Sequence, residues 1–141
     1  VARERNYLEL LQAPPFEVVK KFQMQLIVTK GPLFYAVENN KVVGWCDIFP
    51  LEHVDHGHRS RLGMGLLPDY RGKGLGSKLL AKSLECAKDF AYEKVELRVY
   101  AKNHRAKALY LKHGFIEEGL IRKYRKVNNE YDDCYLMAKS F

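Results

Sequence analysis

Cysteine is scarce in this chain: Cys46, Cys86 and Cys134 are its only three in 141 residues. They are scattered, odd in number and never spaced C-x-x-C. This argues against a disulfide framework; reduced, mostly buried thiols of a cytoplasmic protein are expected. No apolar run reaches the roughly 18 residues of a membrane span, so no membrane partner is expected. The opening "VARERNYLELL" is charged where a signal peptide would be apolar. Val rather than Met stands first, which raises the expectation that something upstream was removed. Repeats, linkers and low-complexity segments are missing as well, so one domain over 1–141 is expected.

Against these absences stand a 47% hydrophobic share, enough for a core, and a net charge of +7 with pI near 9.3. The excess of Lys and Arg is spread along the chain and favours an anionic partner. The basic residues do not interleave with aromatics as in a known nucleic-acid module, and no recognition helix or zinc-finger spacing occurs, which argues against nucleic acid. A polyphosphate cofactor accounts for part of the charge.

Periodicity predicts helices over 2–11 and 16–28, the second placing Phe16, Val19, Phe22, Leu26 and Ile27 on one face. "LFYAVE" and "VVGWCDIF" flank "NNK" as a hairpin whose asparagines suit positive φ. "RSRLGMGLL" reads as a strand ending at Pro68, with Gly63 and Gly65 marking a bulge or a closely approached backbone. A helix over 77–90, the strand "KVELRVY", a helix capped by Asn103 and closed by Gly114, and two strands around Asn128-Asn129 complete the order. The expected fold is α+β, α-α-β-β-β-α-β-α-β-β, a mixed sheet with helices on it. The two closing strands offer an edge for a possible homodimer.

"YRGKGLGSKLL" carries the chemistry. One glycine between a strand and a helix is ordinary, since many such turns need positive φ. Three alternating glycines beside Arg71, Lys73 and Lys78 are not. With no Cβ in the way, the N–H groups from Gly72 to Ser77 can face one anion, beside the unpaired donors and positive dipole end of the following helix. The P-loop spacing is absent, and G-x-G-x-x-G fails from Gly72 (third site Ser77) and from Gly74 (third site Leu79).

The pattern that does fit is R-x-x-G-x-G, at Arg71, Gly74 and Gly76. "LGMGLLPDYRGKGLGSKLL" resembles the acetyl-CoA-binding segment of the GCN5-related N-acetyltransferases, the GNAT family. Further on, "VYAKNHRAKALYLKHGF" is similar to the family's next segment, with Asn103, Ala106, Leu109, Tyr110, Gly114 and Phe115 on its pattern. The element order extends the likeness from about Ala2 to Phe141, except that the family's first strand has no counterpart before Ala2.

The resemblance implies acetyl-CoA as acyl donor; the histidines His53, His56 and His58 lack a fixed helical spacing and cysteine partners, so no metal is expected. The resemblance also implies that Arg71, Gly72, Lys73, Gly74, Gly76 and Ser77 hold the pyrophosphate. Gly65, Leu66 and Leu67 would pair with pantetheine as an added strand, an N–H near Leu66 polarising the thioester carbonyl. Asn103 would bond the cofactor, although a plain N-cap explains it equally well. Tyr110 would be the general acid for the departing thiolate, against the alternative of a core tyrosine. The implied reaction is direct attack by a primary amine in a ternary complex. The acceptor is open: a small molecule, a protein N-terminus or a lysine.

The base is the weak point. Family members that acetylate ribosomal-protein N-termini carry a Glu where this chain has Arg98, which cannot be a base. Glu52, His53, Asp55, His56 and His58 in the loop "LEHVDHGH" are candidates, with a solvated loop as the plain alternative. A domain that binds acetyl-CoA but has lost catalysis is the rival function.

Overall fold

A computed structural model describes residues 16–52 and 54–141. The helix expected over 2–11, and His53, lie outside the described residues. Within them the order is α1 (Phe16–Val28), β1 (Leu33–Glu38), β2 (Lys41–Pro50), β3 (Arg59–Leu66), α2 (Leu75–Asp89), β4 (Lys94–Tyr100), α3 (His104–Lys112), β5 (Ile116–Val127) and β6 (Glu130–Ser140).

The strands form one six-stranded sheet, ordered β1-β2-β3-β4-β6-β5. Every neighbouring pair is antiparallel except β3 with β4. Both hairpin turns follow from their asparagines. Asn39 and Asn40 have φ of 49° and 59°, Asn128 and Asn129 of 49° and 61°, the doubly left-handed geometry of a tight hairpin.

Alternation in β4 sends Val95, Leu97 and Val99 into the core, while Glu96 and Arg98 take the other face. Leu79, Leu80, Leu84 and Ala87 of α2 cover the apolar face, joined by Cys46, Ile48, Leu62, Tyr110 and Phe115. The three cysteines form no disulfide.

Helix α1 departs from its expected stripe. Leu26 is buried, but Phe16 and Ile27 are 74% and 53% exposed. The Gly31 N–H closes the C-terminal end of α1 on the Leu26 carbonyl at 2.8 Å, and exposed apolar residues stand at both ends of the helix.

Candidate active site

The sheet has one short seam. Strands β3 and β4 pair only at Arg59 with Lys94, Ser60 with Val95 and Arg61 with Glu96. Beyond Arg61, β3 stays with β2 as far as Leu66, and β4 stays with β6 as far as Tyr100. A wedge therefore opens between them. The Arg59 carbonyl accepts from Leu51 N–H (3.1 Å), and Leu67 N–H donates to the Val43 carbonyl (2.9 Å), so odd-numbered backbone groups of this strand face β2. By alternation the N–H groups of Met64 and Leu66 face the opening. Leu67 is committed inside the chain on both sides, its carbonyl accepting from Tyr70 N–H at 3.0 Å. It is thus poorly placed for the strand-like pairing expected of it, and Gly65 faces β2.

Arg71 folds back from the turn, its Nε and Nη2 donating to the Leu66 carbonyl at 3.0 and 2.7 Å. That ties the start of the glycine turn to the end of β3. The three glycines then have different tasks. Gly72 and Gly74 have φ of +73° and +81°, which L residues with a side chain rarely adopt. A Cβ on Gly74 would meet nothing within 4 Å, so the turn is open there. Gly76 is buried, and a Cβ on it would lie 3.3 Å from Leu66 Cδ1 and 3.5 Å from Leu109 Cδ2. Its role is to let α2 close on β3 and α3, rather than to clear space for an anion.

Helix α2 begins at this opening, and no side chain caps it. The first intrahelical bond is Lys78 N–H to the Gly74 carbonyl at 3.2 Å. The preceding N–H groups are unspent and carry the positive end of the helix dipole. Arg105 of α3 joins Arg71, Lys73 and Lys78 here: its Nη1 is 3.8 Å from where a Gly72 Cβ would sit. The sequence reading missed it, because its distance from the turn depends on how α3 lies against α2. Ser77 Oγ lies 2.7 Å from His113 Nε2, joining the start of α2 to the end of α3. Burial, helped by Lys112 and Lys139, holds His113 below its ordinary pKa.

Asn103 caps α3, its Oδ1 accepting from Ala106 N–H at 3.2 Å. Asn103→Ala is expected to lower stability by about 0.5–2 kcal/mol, measured by chemical denaturation. Two turns further on, Tyr110 packs in the core with its ring 5.7 Å from Phe115, and is 7% exposed. Burial pushes its hydroxyl well above the ordinary tyrosine range, so the group keeps its proton.

Among the expected base candidates, Glu52, Asp55 and His58 are exposed and His56 is half-buried. Arg98 donates from Nη1 to the Tyr124 hydroxyl at 2.9 Å. Among the described residues no three His, Cys, Asp or Glu side chains gather as a metal site requires. No helix of the described residues is long and apolar enough to cross a membrane.

Gly63 and Gly65 mark a close approach, but the visitor is the chain itself. The β2–β3 register runs without a bulge and sets Trp45 opposite Gly65 and Asp47 opposite Gly63. A Cβ on Gly65 would collide with the Trp45 indole, and one on Gly63 would lie 2.8 Å from Asp47 Oδ1. Asp47 is 6% exposed and accepts from the Gly63 N–H and the Trp45 side chain. Burial raises its pKa from 3.8 to about 6 despite those donors.

A six-stranded mixed sheet, opened between its two parallel strands beside a glycine turn that starts a helix, is the fold of GNAT acyltransferases. Residues 2–115 match the family model described as Acetyltransferase (GNAT) family. The chain belongs to that family. The L-amino acid N-acetyltransferase AaaT of Escherichia coli is 31% identical over 105 residues, which span 74% of this chain and 65% of that enzyme, just under two thirds of its length. The ribosomal-protein-alanine N-acetyltransferase from Brucella melitensis has TM-score 0.85 at 22% identity, covering 95% of this chain and 83% of that one. The yncA protein from Salmonella typhimurium, solved with its cofactor acetyl-CoA, has TM-score 0.88 at 15% identity, covering 96% and 79%. At such identities the two structures bear on fold alone.

Proposed function

We propose that this protein is an N-acetyltransferase moving an acetyl group from acetyl-CoA to a primary amine by direct attack in a ternary complex. The observation that carries the proposal is the junction of the sheet opening with the turn at 72–77. Backbone donors and an uncapped helix N-terminus meet there beside the open space at Gly74, with Arg105 close to Gly72 and Arg71, Lys73 and Lys78 on the same short stretch of chain. That donor set suits a pyrophosphate.

Acetyl-CoA supplies an activated acyl thioester when bound. The N–H groups at the start of α2, with Lys73, Lys78 and Arg105, would hold the phosphates, while Arg71 fixes the start of the turn to the Leu66 carbonyl and adds its charge. Leu66 and Met64 present backbone donors along the opening, suited to an amide chain and to a polarised carbonyl. Asn103 stands at the head of α3 as a further polar contact. Tyr110, still protonated, is the group that offers a proton where the thiolate leaves.

The test is calorimetric titration with acetyl-CoA, followed by release of free thiol in the presence of an amine panel. Micromolar binding with amine-dependent release is the expected result. Binding without acetylation of any amine would reduce the protein to a cofactor-binding domain, and absence of binding would overturn the proposal.

A further inference from the structure

We propose that Asp47 and Arg61 form the acceptor site, Asp47 taking the ammonium group and Arg61 the carboxylate of a free α-amino acid. The proposal rests on the acetyltransferase reading above and names its missing base and its substrate class.

Asp47 lies where such a group is needed. Its carboxylate covers Gly63, the second residue beyond the last β3–β4 pair, at the mouth of the opening and on the face away from α2. Its hydrogen-bond donors are neutral, the Gly63 N–H and the Trp45 side chain. Among the described residues no cation pairs with it. A buried carboxylate in neutral company gains from a cation. Of the groups facing it, Tyr35 on β1 is itself pushed above its ordinary range by burial and by Asp47, and so stays neutral. With a pKa of about 6, Asp47 is ionised at neutral pH, yet is a stronger base than an ordinary aspartate.

Arg61 supplies the other half. Paired across from Phe49, it is the diagonal neighbour of Asp47 on one face, about 7–8 Å away between backbones. It lines a cleft of about 240 Å³ with Arg59, Lys94, Glu96, Arg98 and Glu118. Most of that charge is matched. Arg59 grips Glu96 with two bonds of 2.6 and 3.0 Å, and Lys94 holds Glu118 at 2.8 Å. Arg61 stands across from Glu96 and its charge helps lower that carboxyl's pKa, but the direct hydrogen bonds of Glu96 go to Arg59, and among the described residues no salt bridge forms to Arg61. Its guanidinium is suited to a carboxylate. An α-amino acid carries the two complementary charges on one carbon, whereas a peptide N-terminus offers Arg61 only a neutral carbonyl.

The protons balance. One of the three ammonium protons passes to Asp47 and on to solvent, and the freed lone pair forms the C–N bond. The C–S bond breaks with its pair on sulfur. A second proton reaches sulfur through the Tyr110 hydroxyl, and the third remains on the amide.

The experiment uses the twenty L-amino acids, their carboxamides and short peptides, with wild type, Asp47→Asn, Arg61→Gln and Arg61→Lys. Thiol release gives kcat and KM, and titration of acids into CoA-saturated enzyme gives affinity without turnover. Acids should outperform their amides. Arg61→Gln should raise KM and the dissociation constant for acids at least roughly tenfold, leave amides unchanged and be partly rescued by lysine. Asp47→Asn should lower kcat/KM roughly 10²-fold or more for acids and amides alike, remove an ionisation near pH 6 from the profile, and leave acetyl-CoA affinity and the circular dichroism spectrum as in wild type. Amides or peptides used as well as acids, or Asp47→Asn near wild-type rate, overturns the acceptor site alone. A wild type that binds no acetyl-CoA overturns the acetyltransferase reading and this proposal with it.

Discussion

Tyr110→Phe is expected to lower kcat by roughly 10²–10³-fold while leaving acetyl-CoA affinity and thermal stability near their starting values. The substitution keeps the ring, its packing on Phe115 and its place in the core. Only the hydroxyl oxygen and its proton are lost. A phenol raised above its ordinary pKa is a weaker acid than the thiol it would generate. On the proposed mechanism the hydroxyl first donates a hydrogen bond as charge grows on sulfur, an interaction stronger in the transition state than in the ground state, and then relays a proton to the thiolate, regaining one in the same step. Such a loss falls on kcat and spares KM. Unchanged kcat, with or without lost stability, would make Tyr110 a packing residue.

Gly74→Asp should weaken acetyl-CoA binding by about 10²-fold or more. A Cβ at this position enters open space, so no clash complicates the result. Two effects remain. Holding an L residue at φ +81° costs about 1–2 kcal/mol, and the added carboxylate opposes the bound phosphates. At about 5 Å and an effective dielectric of 20 that repulsion is roughly 3 kcal/mol, or about a hundredfold. Gly74→Asn separates the two, because asparagine tolerates left-handed φ and carries no charge. Titration calorimetry should show Asn close to wild type and Asp far weaker, the gap narrowing with added salt. Equal affinity for Gly and Asp would remove the phosphate from this turn. Gly76 is unsuited to the test, since a side chain there meets Leu66 and Leu109.

Asp47 also makes a stability prediction. Its folded pKa, about 6, lies above the value near 3.9 of an unfolded chain. The folded state thus holds this proton more tightly. The stabilisation is complete below the unfolded value and is lost as pH rises through about 6. At pH 7.5 the ionised carboxylate is therefore carried at a cost of roughly 3 kcal/mol. Asp47→Asn should raise Tm at pH 7.5 and leave it nearly unchanged at pH 4, followed by differential scanning calorimetry. A lower Tm at pH 7.5 would mean that the carboxylate stabilises the fold.

Much of the fold was legible, because its signals are local. Asn39-Asn40 and Asn128-Asn129 encode their turns through left-handed φ, Asn103 and Gly114 bracket α3, and β4 was bounded to the residue by its alternation. β5 was read only to Leu120 but runs to Val127. Its arginines and lysines resemble a loop until β6 is seen beside it. Helix α2 starts at Leu75 rather than Ser77, since Gly76 reads as turn although packing holds it in the helix. At the site, the turn was visible because its chemistry lies in consecutive backbone groups. Asp47 was not. In "VVGWCDIF" it is one polar residue in a strand, and its meaning comes from Gly63, sixteen positions away. An acid among apolar strand residues, with small residues in a later strand to receive it, is the signal that was available.

The three-pair seam between β3 and β4 leaves two half-sheets, β1-β2-β3 and β4-β6-β5, joined by a short hinge and by the helices packed across them. Edges that face an empty wedge have no partner to slow their exchange with solvent. The Met64 and Leu66 amides should exchange faster than those of the same strand that face β2. A ligand lying in the wedge, bonded to one half and packed on the other, would damp the relative motion of both. On the proposed reading, the acyl donor would then serve also as a removable piece of the scaffold.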